Sequence, residues 1–279
     1  MKVALCQIQA YDHPLGYDRS ALHEQWRRRL SWALEGAAAA HADLVVLPEL
    51  ATIPYLVELR PDIVRANALS QDDELLREAR EAAASRSLAI VVPYPEKADG
   101  AFYNSVSVFS ATGARLLHYR KLHVPSGERA PENHIFSPGT EDASVFELKG
   151  MRIGLALCYD RHFPEVFRTL ALKGARAVIV PSAAAGSLRD VWTAEGVAHA
   201  VFNRMYYMAV NRVGAEADPD RPFFGRSFVA SPWGDVIAAA SVDHPDCVVV
   251  RISNKETAAS RRAWPFLTEY RQAWQLSRR

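Results

Sequence analysis

Short apolar runs that stop abruptly at a proline or a polar turn govern what this chain can fold into. Leu44-Val45-Val46-Leu47 ends at Pro48-Glu49, Met151 to Leu157 ends at Cys158, and Ala177-Val178-Ile179-Val180 ends at Pro181-Ser182. Such runs are too short and too β-branched for helices, so each predicts a buried strand. Leu88 to Val92 predicts another, and Val3 to Ile8 a first strand. The stretches between them have helical periodicity. From Ser20 to about Ala40, Leu22, Trp26, Leu30, Ala33, Leu34 and Ala37 recur at steps of three and four, and Asp72 to Ser85 turns Leu75, Leu76 and Ala79 inward behind an acidic first turn. Strands alternating with amphipathic helices imply an α/β fold with parallel strands and helical crossovers.

The alternation continues beyond Cys158, with a helix behind Pro164 (Val166, Phe167, Leu170, Ala171), a helix from about Leu188 to Asn203 and a strand from Met205 to Val210. Strands near 227–229, 236–239 and 247–251 are expected to end the second-half sheet. One hairpin interrupts the pattern, with arms Tyr103 to Phe109 and Ala114 to Tyr119 around Thr112-Gly113. No short repeat, low-complexity tract or linker divides the chain, so residues 1–279 are expected to form a single domain. In its tail, 258–279, Trp264, Phe266, Tyr270 and Trp274 predict packing on the body or on a partner subunit.

Charge excludes several classes of partner. Lys+Arg 33 against Asp+Glu 32 leaves a net charge of +1, which gives no field for nucleic acid, a membrane surface or a polyanion, so a small-molecule substrate is expected. The basic run Arg27-Arg28-Arg29 fits a solvated helix face. No charge-free apolar run reaches roughly 18 residues, and Gln7 and Gln9 interrupt the N-terminal one, which predicts a soluble, unexported, cytoplasmic protein. Three widely spaced cysteines do not make a disulfide framework, and Cys6 and Cys247 fit small core hydrophobes. The nine histidines form no metal-ligand motif, and His118 and His123 flank Lys121 without a carboxylate partner in the sequence, so no metal or cofactor is expected.

Cys158 holds the most chemistry. Strand, polar turn and helix make a nucleophile elbow, which exposes a side chain at a strand's end beside free backbone N–H groups; the alternative is a buried small hydrophobe. Glu49 directly follows a buried strand, where α/β folds gather their chemistry, or it is an exposed loop residue. Lys121 ends the hairpin, a solvated position unless it turns into a cleft. The long loop Ser126 to Thr140 contains Glu128 and Glu132, which nothing local distinguishes.

Together Leu47-Pro48-Glu49-Leu50, Tyr119-Arg120-Lys121-Leu122-His123-Val124-Pro125 and Leu157-Cys158-Tyr159-Asp160-Arg161-His162-Phe163-Pro164-Glu165 resemble the three signatures of the nitrilase superfamily of carbon–nitrogen hydrolases, in the same order and at similar spacing. The resemblance extends from the first strand to Trp264. It implies a four-layer αββα sandwich, a homodimer or higher homo-oligomer, and a cofactor-free site in which Cys158 attacks, Glu49 is the general base and Lys121 stabilises the oxyanion. It singles out Glu132, four residues before Phe136-Ser137-Pro138-Gly139, as the second glutamate, and the Tyr159 N–H as a further oxyanion donor. With Val191 to Ala200 and Asn211-Arg212-Val213-Gly214, the elbow is most similar to N-carbamoyl amino acid and β-ureidopropionase-like amidohydrolases, which implies hydrolysis of an N-carbamoyl amine or amino acid with release of ammonia and CO2. An aliphatic or ω-amidase, a nitrilase, or a silent binding protein on the same fold are the other readings. In carbamoyl amino acid hydrolases an arginine at the position of Arg161 holds the substrate carboxylate; a structural ion pair is the alternative. Pro54-Tyr55 and the short segment around Phe223-Phe224-Gly225 depart from the family pattern, and both are expected to border the pocket.

Overall fold

The computed structural model describes residues 1–12, 18–55, 60–127, 131–186, 189–216 and 219–270. Glu128 and Trp274 lie outside the described residues, as does Leu188 at the predicted start of its helix. The strands in chain order are β1 (Lys2–Gln7), β2 (Leu44–Val46), β3 (Ala89–Ala98), β4 (Ala101–Phe109), β5 (Arg115–Arg120), β6 (Val145–Leu148), β7 (Met151–Leu155), β8 (Ala177–Pro181), β9 (Tyr206–Val210), β10 (Val213–Gly214), β11 (Phe223–Phe224), β12 (Phe228–Ala230), β13 (Val236–Ala239) and β14 (Asp246–Arg251). The helices are α1 (Arg19–Ala39), α2 (Pro61–Ala66), α3 (Glu74–Ala84), α4 (Pro164–Leu172), α5 (Arg189–Asn203), α6 (Asn254–Ala263) and α7 (Phe266–Glu269). Side chains of Asp18 and Asp73 accept the N–H groups of Ala21 and Leu75, capping α1 and α3 where the sequence starts them.

Two six-stranded sheets follow one pattern of directions. The first has the order β14-β1-β2-β3-β4-β5 and the second β6-β7-β8-β9-β12-β13, with β10 and β11 forming a separate pair. In each, three parallel strands (β1, β2, β3 or β7, β8, β9) carry antiparallel strands outside them. The last strand corrects the sequence reading: Cys247–Arg251 does not end the second sheet but returns to pair with β1 in the first. Residue alternation identifies a strand, but the partner is chosen by tertiary packing.

Because side chains alternate across a strand, each uniformly apolar run fills two cores. Val3, Leu5, Leu44, Val46 and Val91 of the first sheet meet Ile153, Leu155, Ile179 and Met208 of the second. On the outer face of the first sheet, Ala4, Cys6, Val45 and Ile90 pack under Trp26 and Leu30 of α1 and Leu76 of α3. Val178, Val180 and Tyr207 do the same under Phe167 of α4 and Trp192 of α5. The result is the expected four-layer αββα sandwich. Gly154 sets the height of α4 over β7, since a Cβ there would lie 2.9 Å from Leu170 Cδ1. This close packing fixes the strand that leads to Cys158.

The basic run divides. Arg27 and Arg28 pair with Glu78 and Glu24 at the surface, but Arg29 reaches inward to the carbonyls of Gln9 and Ala10 and lies 4.1 Å above the Tyr11 ring. Only the first two residues of the run make a solvated face. In the tail, the Arg204 guanidinium lies over Phe266 at 4.5 Å and over Trp264 at 5.8 Å, while Trp264 stays 53% exposed.

Candidate active site

The chain leaves β7 in an extended conformation and turns sharply into a 3-10 turn, Cys158–His162. Cys158 itself has φ 43°, a left-handed conformation that costs a non-glycine residue about 1–3 kcal/mol and needs external support. Asp160 supplies that support. Its buried carboxylate accepts the Leu157 N–H at 3.0 Å, the Tyr119 hydroxyl at 2.6 Å and the His123 N–H at 2.9 Å. His123 Nδ1 also meets it at 2.9 Å, with the imidazole stacked on Phe163 at 3.6 Å. His118 likewise lies 3.0 Å from Glu96. Both histidines therefore have the carboxylate partners that the linear sequence conceals.

Lys121 is not solvated; its side chain is 0% exposed. Its Nζ donates to Glu49 Oε1 at 2.9 Å and to both oxygens of Glu132 at 2.8 Å. Glu49 is fixed further by Asn104 Nδ2 at 2.8 Å and by the Ala183 N–H, which donates to its second oxygen at 2.9 Å. Glu132 opens a short 3-10 turn, Glu132–His134, and accepts the Tyr55 hydroxyl at 2.8 Å and Asn104 Nδ2 at 3.3 Å. Thus Glu49, Lys121, Glu132 and Tyr55 form one buried hydrogen-bonded cluster beside Cys158.

Burial and charge set the protonation states. Burial disfavours a charged Lys121, but the charges of Glu132 and Glu49 outweigh it and raise its pKa, so the ammonium persists. Burial raises Glu132 despite Lys121, and Glu49's charge adds to the rise. The Cys158 thiol is pushed up to about 12, first by burial and then by Glu49, against the opposing pull of Lys121 and Arg161. Burial also holds the Tyr55 phenol well above its ordinary value, aided by Glu132, so it stays a donor. The resting arrangement is a neutral thiol next to Glu49, Glu132 and the Lys121 ammonium. It can lend a proton from sulfur to carboxylate and receive negative charge on a carbonyl oxygen.

Arg161 is nearly fully buried and forms the ion pair: Nε donates to Glu195 Oε2 at 2.9 Å, and His162 Nδ1 lies 2.6 Å from the other Glu195 oxygen. Its Nη1 is 3.7 Å from Cys158 Sγ, whereas the buried Nη2 has no hydrogen-bond partner among the described residues. Tyr159 is partly exposed, its ring edge-on to His162 and Phe163 at 5.2 and 5.6 Å. Phe223 stands edge-on to Tyr55 at 6.2 Å, which brings the two departures from the family pattern together.

Nothing in the motif Asn211-Arg212-Val213-Gly214 reveals what Arg212 holds. Its Nη2 donates to the carbonyls of Glu49 (2.8 Å), Leu50 (2.5 Å) and Ile53 (2.8 Å), and Nη1 to Glu216 at 2.6 Å. Glu216 in turn accepts the N–H groups of Tyr11 and Tyr55. This network holds the turn that bears Glu49, in which Leu50 also has a left-handed φ of 49°. Asn104 is not singled out by the sequence either: it shares its hairpin arm with Tyr103, Ser105 and Ser107, so one more polar residue carries no signal there.

Comparison with known proteins shows the family. The carbon-nitrogen hydrolase family model matches residues 2–262. The chain belongs to this family. It is 33% identical to an N-carbamoylputrescine amidase of Solanum lycopersicum over 195 residues, covering 64% of this chain and 65% of that protein. An (R)-stereoselective amidase of Pseudomonas sp. is 32% identical, covering 97% of this chain and 92% of the relative. A carbon-nitrogen hydrolase structure from Helicobacter pylori G27 superposes with TM-score 0.84 at 27% identity, covering 100% and 98% of the two chains. An amidase structure from Nesterenkonia sp. AN1 (TM-score 0.76, 25% identity, 94% of each chain) bears the acetamide moiety of fluoroacetamide covalently at the active-site cysteine. Among the described residues, no group of three or more His, Cys, Asp or Glu side chains is placed to hold a metal, and no helix is long and apolar enough to cross a membrane.

Proposed function

We propose that this chain hydrolyses an N-carbamoyl amine through a covalent intermediate on Cys158. The observation that carries this reading is the buried Glu49–Lys121–Glu132 cluster beside a neutral thiol on a left-handed turn. Glu49 takes the Cys158 proton as sulfur attacks the ureido carbonyl. The oxyanion forms against Lys121 Nζ and the Tyr159 N–H, and ammonia departs with the proton returned by Glu49. Glu49 then removes a proton from water, which attacks the thiocarbamate and frees Cys158. The resulting carbamic acid loses CO2 to give the amine. Glu132 and Tyr55 hold Lys121 in place throughout.

An amine is favoured over an acid by the charges at the elbow. Glu195 already neutralises Arg161, and the Glu49–Lys121–Glu132 cluster is net negative when both carboxylates are ionised, which suits a cationic substrate better than a carboxylate. The N-carbamoylputrescine amidase relatives support the same choice. One observation favours the acid reading: the unpartnered Arg161 Nη2 is a donor available to a carboxylate oxygen. Ammonia release from N-carbamoylputrescine, N-carbamoyl amino acids, primary amides and nitriles tests both, with mass spectrometry for a thiocarbamate on Cys158. Preference for the carbamoyl amine, unreversed in Arg161→Ala, supports the proposal. Turnover confined to amides or nitriles, or full turnover in Cys158→Ala, refutes it.

A further inference from the structure

Away from this cluster, the two cysteines assigned to the core from sequence meet each other. Cys6 of β1 stands directly opposite Cys247 of β14 in the antiparallel register, and their sulfurs are 3.2 Å apart. Directly opposed residues of such a pair have Cα atoms about 4.5–5.5 Å apart, inside the range of about 4.4–6.8 Å that a disulfide spans. Bond formation therefore needs the sulfurs to close by about 1 Å and leaves the strands in register. Helix α1 crosses this pair at Gly36, where a Cβ would lie 3.3 Å from Cys247 Sγ. A glycine is poorly suited to a helix interior, and here it leaves the sulfurs their space. Cys6 is fully buried, whereas Cys247 is half-buried and open to a small reagent.

We propose that Cys6 and Cys247 are a peroxide-oxidisable dithiol that closes into a disulfide between the first strand and the last. The unequal exposure of the two sulfurs gives the order of events, with the half-buried Cys247 reached first; the shared hydrogen bond points the same way, lowering the Cys247 pKa and raising that of Cys6, which burial raises further. Cys247 thiolate attacks one oxygen of hydrogen peroxide, the O–O bond breaks, and the departing hydroxide takes a proton to become water. Cys6 sulfur then attacks Cys247 sulfur, the S–O bond breaks, and the hydroxyl leaves with the Cys6 proton as a second water. The two thiols lose two electrons, and one peroxide is reduced to two waters. The new bond joins positions 241 residues apart and seals the seam at which β14 returns to the first sheet. Gln7, the next residue, accepts the Ser227 N–H and donates to the carbonyls of Ser241 and His244, so the brace extends to the segments entering and leaving β12 and β13.

Cys158→Ala leaves Cys6 and Cys247 as the chain's remaining thiols and makes the test specific. This protein is incubated with hydrogen peroxide, unfolded, alkylated with N-ethylmaleimide, digested and analysed by mass spectrometry. The expected result is loss of both thiols in the monomeric chain, a linked peptide pair containing Cys6 and Cys247 that dithiothreitol separates, and a melting temperature about 5 °C or more above the reduced protein. The rise is absent when Cys247→Ser is added. Two alkylated thiols after peroxide, Cys247 sulfinic acid with Cys6 still alkylated, or linkage only between chains would each overturn the proposal. A linked pair with an unchanged melting temperature would overturn the bracing role.

Discussion

Replacing Arg212 by lysine keeps a positive charge near Glu216 but exchanges a planar fork for a single ammonium. The fork serves three backbone carbonyls and one carboxylate from a fully buried position. Each charge-assisted bond is worth about 1.5–3 kcal/mol, and an ammonium can keep Glu216 and about one carbonyl, so Arg212→Lys is expected to cost about 3 kcal/mol or more. The freed turn carries Glu49, the proposed base; a shift of about 1 Å in such a group is worth roughly a hundredfold in rate, which here falls on kcat more than on KM. Arg212→Met goes further, because it strips the buried Glu216 carboxylate of its guanidinium partner, a loss of about 3–5 kcal/mol. Adding Glu216→Gln removes the stranded charge and is expected to return about 1 kcal/mol or more. Urea unfolding and ammonia release measure both effects. Arg212→Lys within about 0.5 kcal/mol and twofold of the parent chain, or a double variant no more stable than Arg212→Met, would show that the fork does not hold this turn.

Cys158→Gly should abolish turnover yet raise stability by about 1 kcal/mol in thermal unfolding, since glycine adopts the left-handed turn without strain. Alkylation of Cys158 by iodoacetamide should keep accelerating beyond pH 9, in line with a thiol pushed up to about 12, and should slow in Arg161→Ala because the guanidinium lowers that value; a rate plateau below pH 8 would reveal a resting thiolate instead. Glu96→Gln should cost about 3 kcal/mol, as Glu96 is fully buried and accepts from Arg120, His118, Ser105 and Gln71. Burial would raise the Glu96 pKa, but Arg120 and the other donors hold its carboxyl well below the usual range; its contribution is therefore present above the unfolded value of about 4.5 and declines as pH falls through the lower folded one. The stability gap between parent and Glu96→Gln should narrow accordingly in unfolding measured below about pH 4.

The parts legible in the sequence are those whose cause is local. Glu49 and Cys158 stand where apolar runs end, and the run and its stop are contiguous. Lys121 and Glu132 needed the family resemblance, because burial of a hairpin lysine and the choice between two loop glutamates depend on what lies across the cleft. The roles of Arg212, Asn104 and Glu195 were invisible for the same reason: their partners lie far along the chain, and Arg212 binds carbonyls, which carry no residue identity. The pairing of β14 with β1 and the meeting of Cys6 with Cys247 are one fact of register that no local pattern encodes. Histidines 118 and 123 find their partners on β3, two strands across the sheet, and on the elbow itself.

Two carboxylates around one buried lysine look wasteful until charge is counted through the proposed attack. With Glu49 and Glu132 both ionised, Lys121 as an ammonium and Cys158 as a neutral thiol, the cluster has a net charge of minus one before attack. After attack Glu49 is protonated, the thiol has become a carbon–sulfur bond, and the negative charge is on the former carbonyl oxygen, so the net charge is still minus one. Charge has moved past a fixed ammonium without being created in a low-dielectric interior, where unpaired charge is costly. A resting thiolate would add another negative charge beside Glu49 and Glu132 before any substrate arrived, and burial and Glu49 hold the thiol neutral against that. Glu132 then has a distinct task. With both oxygens on Lys121 Nζ, it keeps the ammonium charged and aimed once Glu49 has taken its proton. Glu132→Gln should therefore depress kcat while Cys158 alkylation is kept or quickened, because the Glu132 charge raises the thiol pKa; a merely structural carboxylate would not produce that division.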